Sequence, residues 1–265
     1  MKRINYCYPQ GKMKALTMSY DDGAIHDRRL VDIFNRHGIK GTFHLNAGSF
    51  EYEGKIDAEE VATLFAGHEV SCHTFTHPFV ERVPNMEVVQ QILQDKKTLE
   101  SLCGYVVRGM SYPFGSRDTR SMEILRKLGM NYSRTTAATG SFGLPDDFMI
   151  WNPTCHHNNS IMDKLEAFKN NKYPLSLFYV WGHSYEFDRD NSWDLMEEFC
   201  AAAEYMEDVW YATNIEIYDY ITALRNCEMS ADRSMLYNPS ATSVWVVVDD
   251  KLIECKGGQC TKLFS

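Results

Sequence analysis

The chain has 265 residues, 44% hydrophobic and 24% charged, which suits one large globular domain or one domain with an appendage. Its formal net charge of −9 argues against a nucleic-acid binder, because phosphate neutralisation needs a basic surface. No apolar run is long enough to span a bilayer, and the opening MKRINYCYPQGKMKAL lacks the apolar core of a signal peptide. A cytoplasmic location is therefore expected, although a chain whose leader had been removed would read the same.

In chain order, 15–20 reads as a strand. Residues 25–38 read as a helix with apolar Ile25, Leu30, Ile33 and Phe34 and a stop at Gly38. A second strand follows at 41–46. The helix at 57–67 has Asp57 as N-cap candidate and Gly67 as stop. Residues 68–72 form a third strand, 86–102 a longer amphipathic helix, and 105–112 a fourth strand that ends at Pro113. Residues 118–128 look helical and 130–135 extended. The stretch 136–160 is irregular and rich in Gly, Pro, Asp and Asn. Residues 175–182 make a near-continuous apolar run, as for a strand buried on both faces. Helices are expected at 192–207 and 214–226. Strand–helix alternation implies parallel strands with crossover helices, an α/β fold whose C-terminal strand ends form the active face. After residue 226 the pattern becomes β-rich, with runs at 243–248 and 251–255 around the turn at Asp249 and Asp250. The expected division is a domain over 1–226 and a small β-rich appendage over 227–265.

The eight cysteines are scattered, mostly in apolar stretches, and read as buried thiols of a reducing compartment. Cys255 and Cys260 flank KGGQ, but no second pair with zinc spacing accompanies them.

Two segments carry the chemistry: SYDDG at 19–23 and HTFTH at 73–77. One Asp and two His make a full protein ligand set for a catalytic divalent metal and leave open positions. The second Asp is then free to act as a base beside the metal. Gly23 tolerates the angles that would let both Asp21 and Asp22 face one site. A plain DDG turn is the alternative. His73 and His77 are spaced as one helical turn, or a loop brings them together; surface or capping histidines are the alternative. His183 leaves the buried run LFYVW through Gly182. Its near-neutral pKa suits a proton donor, and a capping or core role is the alternative.

These residues resemble the polysaccharide deacetylases of the NodB homology type, carbohydrate esterase family four. That family's T-F-D-D-G appears as Ser19-Tyr20-Asp21-Asp22-Gly23, followed by Lys40-Gly41-Thr42-Phe43. Its H-[ST]-x-x-H appears as His73-Thr74-Phe75-Thr76-His77 after Gly67-His68-Glu69-Val70, and its closing L-x-H as Trp181-Gly182-His183. The resemblance covers roughly 15–225 and makes the domain over 1–226 the catalytic one. It implies an incomplete or distorted (β/α) barrel with a small C-terminal β appendage. It implies that Asp22, His73 and His77 hold one divalent metal, Zn²⁺ first, with Co²⁺, Mn²⁺, Ni²⁺ or Fe²⁺ as alternatives. Asp21 would be the general base and His183 the general acid. The implied reaction is N-deacetylation of an acetylated sugar or saccharide.

The third motif, usually R-x-P-Y-G, appears as Ser111-Tyr112-Pro113-Phe114-Gly115, so Ser111 replaces the usual Arg and Phe114 the usual Tyr. The main-chain N–H of Phe114 keeps the capacity to bind an oxyanion. Tyr112, Arg108 and Trp151 are further substrate-site candidates, although strand parity turns Arg108 to the other face. The fourth motif is not recognisable; Trp151-Asn152 is the closest fragment and Asp146 and Asp147 are displaced. Glu186 and Asp188 are candidates to orient His183. His156 and His157 read as loop residues able to line the cleft. Trp151, Trp181, Tyr185 and Trp193 are candidates to stack on a sugar ring or to fill the core. Two rivals remain: the same fold hydrolysing a cyclic imide, ureide or acylated polyamine, and a non-catalytic carbohydrate-binding scaffold.

Overall fold

The computed structural model describes residues 2–264. In chain order its elements are β1 (Ile4–Cys7), β2 (Lys14–Asp21), α1 (Asp27–Arg36), β3 (Gly41–Leu45), α2 (Val61–Leu64), β4 (Glu69–Cys72), α3 (Asn85–Cys103), β5 (Gly109–Ser111), α4 (Thr119–Lys127), β6 (Tyr132–Arg134) and β7 (Cys155–His156). They continue with α5 (Ile161–Asn170), β8 (Ser176–Gly182), α6 (Tyr185–Arg189), α7 (Trp193–Ala203), β9 (Val209–Tyr211), α8 (Asn214–Arg225), β10 (Glu228–Met229), β11 (Met235–Asn238), β12 (Val244–Val248), β13 (Lys251–Cys255) and β14 (Gln259–Lys262).

The main sheet runs β6-β5-β4-β3-β2-β8-β7, with β9 added beside the start of β2. Every pairing in it is parallel. The path has two ends, β6 and β7, so the sheet curls into an incomplete α/β barrel, as the sequence implied. All residues of β2, β3 and β8 are buried; β8 accordingly reads as a near-continuous apolar run, whereas β2 and β3 interleave apolar residues with buried Thr17, Ser19, Asp21, Thr42 and His44. Leu30, Ile33 and Phe34 of α1 and Val88, Ile92 and Leu99 of α3 pack into the main hydrophobic core with Met18, Phe43 and Val70 of the sheet.

A second apolar cluster joins Tyr132, Trp151 and Tyr179 of the barrel to Ile217 and Tyr220 of α8 and to Val244 and Val246 of β12. The C-terminal strands form two antiparallel sheets, β1-β12-β13 and β10-β11-β14. β1, from the other end of the chain, is thus part of this layer, with Ile4 opposite Val248. Tyr220 ties the layer together: its hydroxyl donates to the Cys7 carbonyl at 2.6 Å and accepts from the Trp245 N–H at 3.1 Å.

Two expected elements are shorter and one helix is new. The helix at 57–67 is a 3₁₀ turn at 58–60, closed by an Asp57–Glu60 capping box, followed by the single turn α2. The strand at 105–112 shortens to β5. Helix α5 lies where no element was expected; Ile161, Leu165 and Phe168 form its buried stripe, at helical spacing. All eight cysteines are free thiols; five are buried and Cys260 is exposed. Among the described residues no helix is long and apolar enough to cross a membrane.

Candidate active site

The site lies at the C-terminal ends of the parallel strands. β2 stops at Asp21, and both Asp22 (φ 80°) and Gly23 (φ 58°) take left-handed backbone angles. Asp is among the few side chains that enter this region at modest cost. The turn is pinned by the Asp22 N–H, which donates to the His44 carbonyl at 2.9 Å, and by the Lys55 ammonium on the Asp22 carbonyl at 2.7 Å. Both carboxylates consequently reach His73: its Nε2 is 3.8 Å from Oδ2 of Asp21 and 3.6 Å from Oδ1 of Asp22.

HTFTH is a loop and not a helical turn. Thr74 (φ 65°) and His77 (φ 61°) bend it so that the two imidazole centroids lie 4.7 Å apart. The Asn46 amide donates to the carbonyls of His73 (2.6 Å) and Thr74 (2.8 Å). The buried Asp95 carboxylate accepts the N–H groups of Ala47 (2.8 Å) and His73 (3.0 Å). Burial pushes the Asp95 carboxyl up to about 7, and those two N–H groups pull against it.

Oδ1 of Asp22 is 3.6 Å from Nε2 of His73 and 3.7 Å from Nε2 of His77. One ligand atom from each of the three residues lies within 4.8 Å of the other two. A tetrahedral ion with bonds of about 2.0–2.1 Å has ligand-to-ligand edges of roughly 3.4 Å, close to these separations. The tautomer also fits. Ser111 Oγ donates to Asp21 Oδ1 at 3.0 Å, so it accepts from His73 Nδ1 at 2.6 Å; the Ser111 carbonyl is 2.9 Å from the same nitrogen. With its proton on Nδ1, His73 presents the Nε2 lone pair to Asp22 and His77. Burial pushes the His77 imidazole down to about 4, leaving it neutral and able to ligate.

Asp21 is held by a residue that sequence reasoning missed. The guanidinium of Arg134 pairs with its Oδ2. Arg134 is fully buried, donates to the Thr135 carbonyl at 3.0 Å, and lies over the Trp181 ring at 4.5 Å. Burial alone would push the Asp21 carboxyl up. Arg134, aided by His73, His44 and His183, instead holds it well below the usual carboxylate range. Arg134 sits opposite Ser111 in the β5–β6 register. The cation expected on β5 is thus supplied one strand over, at the same height. Arg134 ends its strand, as Asp21 does, so the strand-end rule could have found it.

His183 lies across from His73, with Nε2 3.9 Å from Oδ2 of Asp22. Its Nδ1 is 3.4 Å from Oε2 of Glu186, and its main-chain N–H donates to the same oxygen at 3.1 Å. Burial pushes the imidazole down, but Glu186 and the Asp21 and Asp22 charges outweigh it and raise the pKa. Glu186 also faces His156 Nε2 at 2.9 Å and His157 Nε2 at 3.4 Å. Asp188 points elsewhere, 3.8 Å from His26.

Residues 9–133 match the family model described as polysaccharide deacetylase. Just under half of the chain thus matches the polysaccharide deacetylase family. It is 29% identical over 106 residues to a peptidoglycan-N-acetylglucosamine deacetylase of Listeria monocytogenes, a match covering 39% of this chain and 22% of the relative. It is 27% identical over 138 residues to a chitin deacetylase of Pestalotiopsis sp., covering 49% and 44%. The chain thus spans less than half the length of these curated relatives. A crystal structure described as a putative polysaccharide deacetylase from Mycobacterium smegmatis superposes with a TM-score of 0.64 at 16% identity, covering 82% of this chain and 93% of that one. The fold is therefore of the NodB type.

Against this deacetylase-family frame, the remaining expected residues separate. Phe114 is at the site, in a left-handed turn (φ 60°), its ring edge-on to His77 at 4.5 Å and stacked on Phe79 at 3.9 Å. Tyr112 is buried beneath the turn, its hydroxyl donating to the Met149 carbonyl at 2.9 Å, so it supports the wall without lining it. Other expectations are corrected. Arg108 precedes β5, at the opposite end of the parallel sheet, where its guanidinium forks onto Asp219 at 2.8 and 2.6 Å. Trp151 is 1% exposed and packed among Tyr132, Phe148 and Tyr179, so it fills the core and presents no face to a sugar. His156 and His157 are not free loop residues; both pack onto Glu186, and His157 is fully buried. A hollow of about 300 Å³ adjoins the metal-ligand group, bordered by Asp22, Tyr52, Lys55, Phe75 and His77.

Proposed function

We propose that this protein is a divalent-metal-dependent amide hydrolase that removes the acetyl group from an N-acetylated sugar or saccharide. The reading rests on one observation: ligand atoms of Asp22, His73 and His77 cluster within 4.8 Å of one another, with the Asp21 carboxylate 3.8 Å from His73 and the His183 imidazole 3.9 Å from Asp22. Asp22, His73 and His77 would hold the ion, Zn²⁺ first and Co²⁺, Mn²⁺, Ni²⁺ or Fe²⁺ as alternatives. When bound, the ion supplies Lewis acidity toward the amide carbonyl and makes water a nucleophile near neutral pH.

The chain's own groups move the protons. Asp21, ionised throughout the working pH range, accepts the proton of the attacking water at its carboxylate. Ser111 and Arg134 fix that carboxylate in place, so little reorganisation accompanies the transfer. His183, its pKa raised beside Glu186, gives a proton from Nε2 to the leaving amine. The main-chain N–H of Phe114 is assigned to the developing oxyanion, supported by the position of its turn beside His77. The partly apolar hollow beside Tyr52 and Phe75 suits a pyranose ring, which stacks on aromatic faces. Arg134 restores the charge that Ser111 lacks, which favours the acetylated-sugar reading over a cyclic imide.

Acetate release tests this directly. Chelator-treated protein, with and without added Zn²⁺, Co²⁺ or Mn²⁺, is assayed on N-acetylglucosamine oligomers, peptidoglycan fragments and cyclic amides. Metal-dependent acetate release from the acetylated sugars is expected. Release that chelation leaves intact, or turnover confined to cyclic amides, contradicts the reading.

The pH profile has a defined sign. A raised His183 pKa keeps the donor protonated to higher pH, and activity falls as pH rises through that value. Glu186→Gln removes the charge that raises it. The basic limb should then move to lower pH, because a close opposite charge no longer favours the protonated imidazole. An unmoved basic limb in kcat/KM would remove Glu186 as the group that tunes His183.

A further inference from the structure

We propose that His156, His157 and Glu186 form a second divalent-cation site, built beside the first but from separate residues. One ligand atom from each lies within 4.8 Å of the other two. Oε2 of Glu186 is 2.9 Å from Nε2 of His156 and 3.4 Å from Nε2 of His157. The second of these separations equals the roughly 3.4 Å edge of a tetrahedral site with Zn–N bonds of about 2.0–2.1 Å, and the first lies about 0.5 Å inside it.

The fold spends structure on this arrangement. His157 is 0% exposed, and neither of its ring nitrogens makes a hydrogen bond among the described residues. Its ring stacks on Phe187 (4.2 Å) and lies near-parallel to Tyr20 (5.8 Å), which restrains its plane, with Nε2 3.4 Å from Oε2 of Glu186. Gly182 makes the room: a Cβ there would stand 2.0 Å from His157 Nδ1. A buried imidazole with unmet nitrogens is costly, and a cation ligated through Nε2 offsets that cost at the nitrogen facing Glu186. Two imidazoles and one carboxylate are a ligand set that suits Zn²⁺ or Co²⁺. His183 links the two groups, with Nε2 toward Asp22 and Nδ1 toward Glu186.

The test is metal stoichiometry, which reads the site without relying on turnover. Full-length protein is stripped with chelator, titrated with Co²⁺ and then Zn²⁺, and followed by elemental analysis and by the visible absorption of tetrahedral Co²⁺. Wild type should bind two equivalents. His156→Ala, at the more open side, and His157→Gln should each bind one, with circular dichroism unchanged. Asp22→Ala should also bind one, and Asp22→Ala/His156→Ala none. Retention of one equivalent by Asp22→Ala that His156→Ala removes supports the second site even if the first proves not to be hydrolytic. A wild type that binds one equivalent, lost in Asp22→Ala and kept in His156→Ala, overturns the proposal. So do two equivalents that neither histidine variant reduces.

Discussion

Asp21→Asn should lower acetate release by about 10²–10⁴-fold, the range that a positioned general base contributes, while one equivalent of metal stays on Asp22, His73 and His77. The two consequences are separable because the adjacent aspartates do different things. Asp22 Oδ1 faces both Nε2 atoms of the ligand histidines. Asp21 is turned toward Ser111 and Arg134, with His73 Nε2 3.8 Å from its Oδ2. Asn keeps the shape and accepts the Ser111 hydroxyl, yet cannot take a proton from water at neutral pH. The measurement pairs steady-state acetate release with metal analysis of the same preparation. Wild-type turnover in Asp21→Asn would exclude it as base, and loss of metal would make it a ligand instead.

Arg134→Met should be the most damaging change outside the metal ligands. It leaves a fully buried carboxylate without its cation, and breaking a buried pair this way typically costs about 3–5 kcal/mol of stability. Activity should fall as well, since Asp21 loses the group that orients it. Arg134→Lys keeps the charge but not the fork that spans Asp21 and the Thr135 carbonyl, so an intermediate loss is expected. The decisive comparison is Asp21→Asn/Arg134→Met. Removing both charges should recover much of the stability lost in Arg134→Met alone, measured by denaturant unfolding. Purely additive losses would show that Arg134 serves packing against Trp181 and not the carboxylate.

The parts of this site that were legible in the sequence are those carried by local spacing. Asp21, Asp22, His73 and His77 lie in two short segments, and strand–helix alternation places both at strand ends. The buried strand β8 was readable because burial on both faces favours a near-continuous apolar run. What could not be read depends on register between strands. Arg134 reaches Asp21 only because β5 and β6 align it with Ser111, and no spacing rule within one strand reports that. Trp151 shows the converse: an aromatic near a familiar motif looks like a sugar platform until packing assigns it to the core. HTFTH has helical spacing, yet positive φ angles at Thr74 and His77, held by Asn46 and Asp95, make it a loop. Asn46 and Asp95 are distant from it in sequence, so its conformation is a tertiary property.

The account stands or falls on one ion shared by three side chains. Crystals of zinc-reconstituted protein, measured on either side of the zinc absorption edge, locate that ion by anomalous scattering. The account predicts a peak with Asp22 Oδ1, His73 Nε2 and His77 Nε2 each about 2.0–2.2 Å away, and with the Asp21 carboxylate near it but not ligating. A fully loaded crystal with no peak in reach of those three atoms would contradict it.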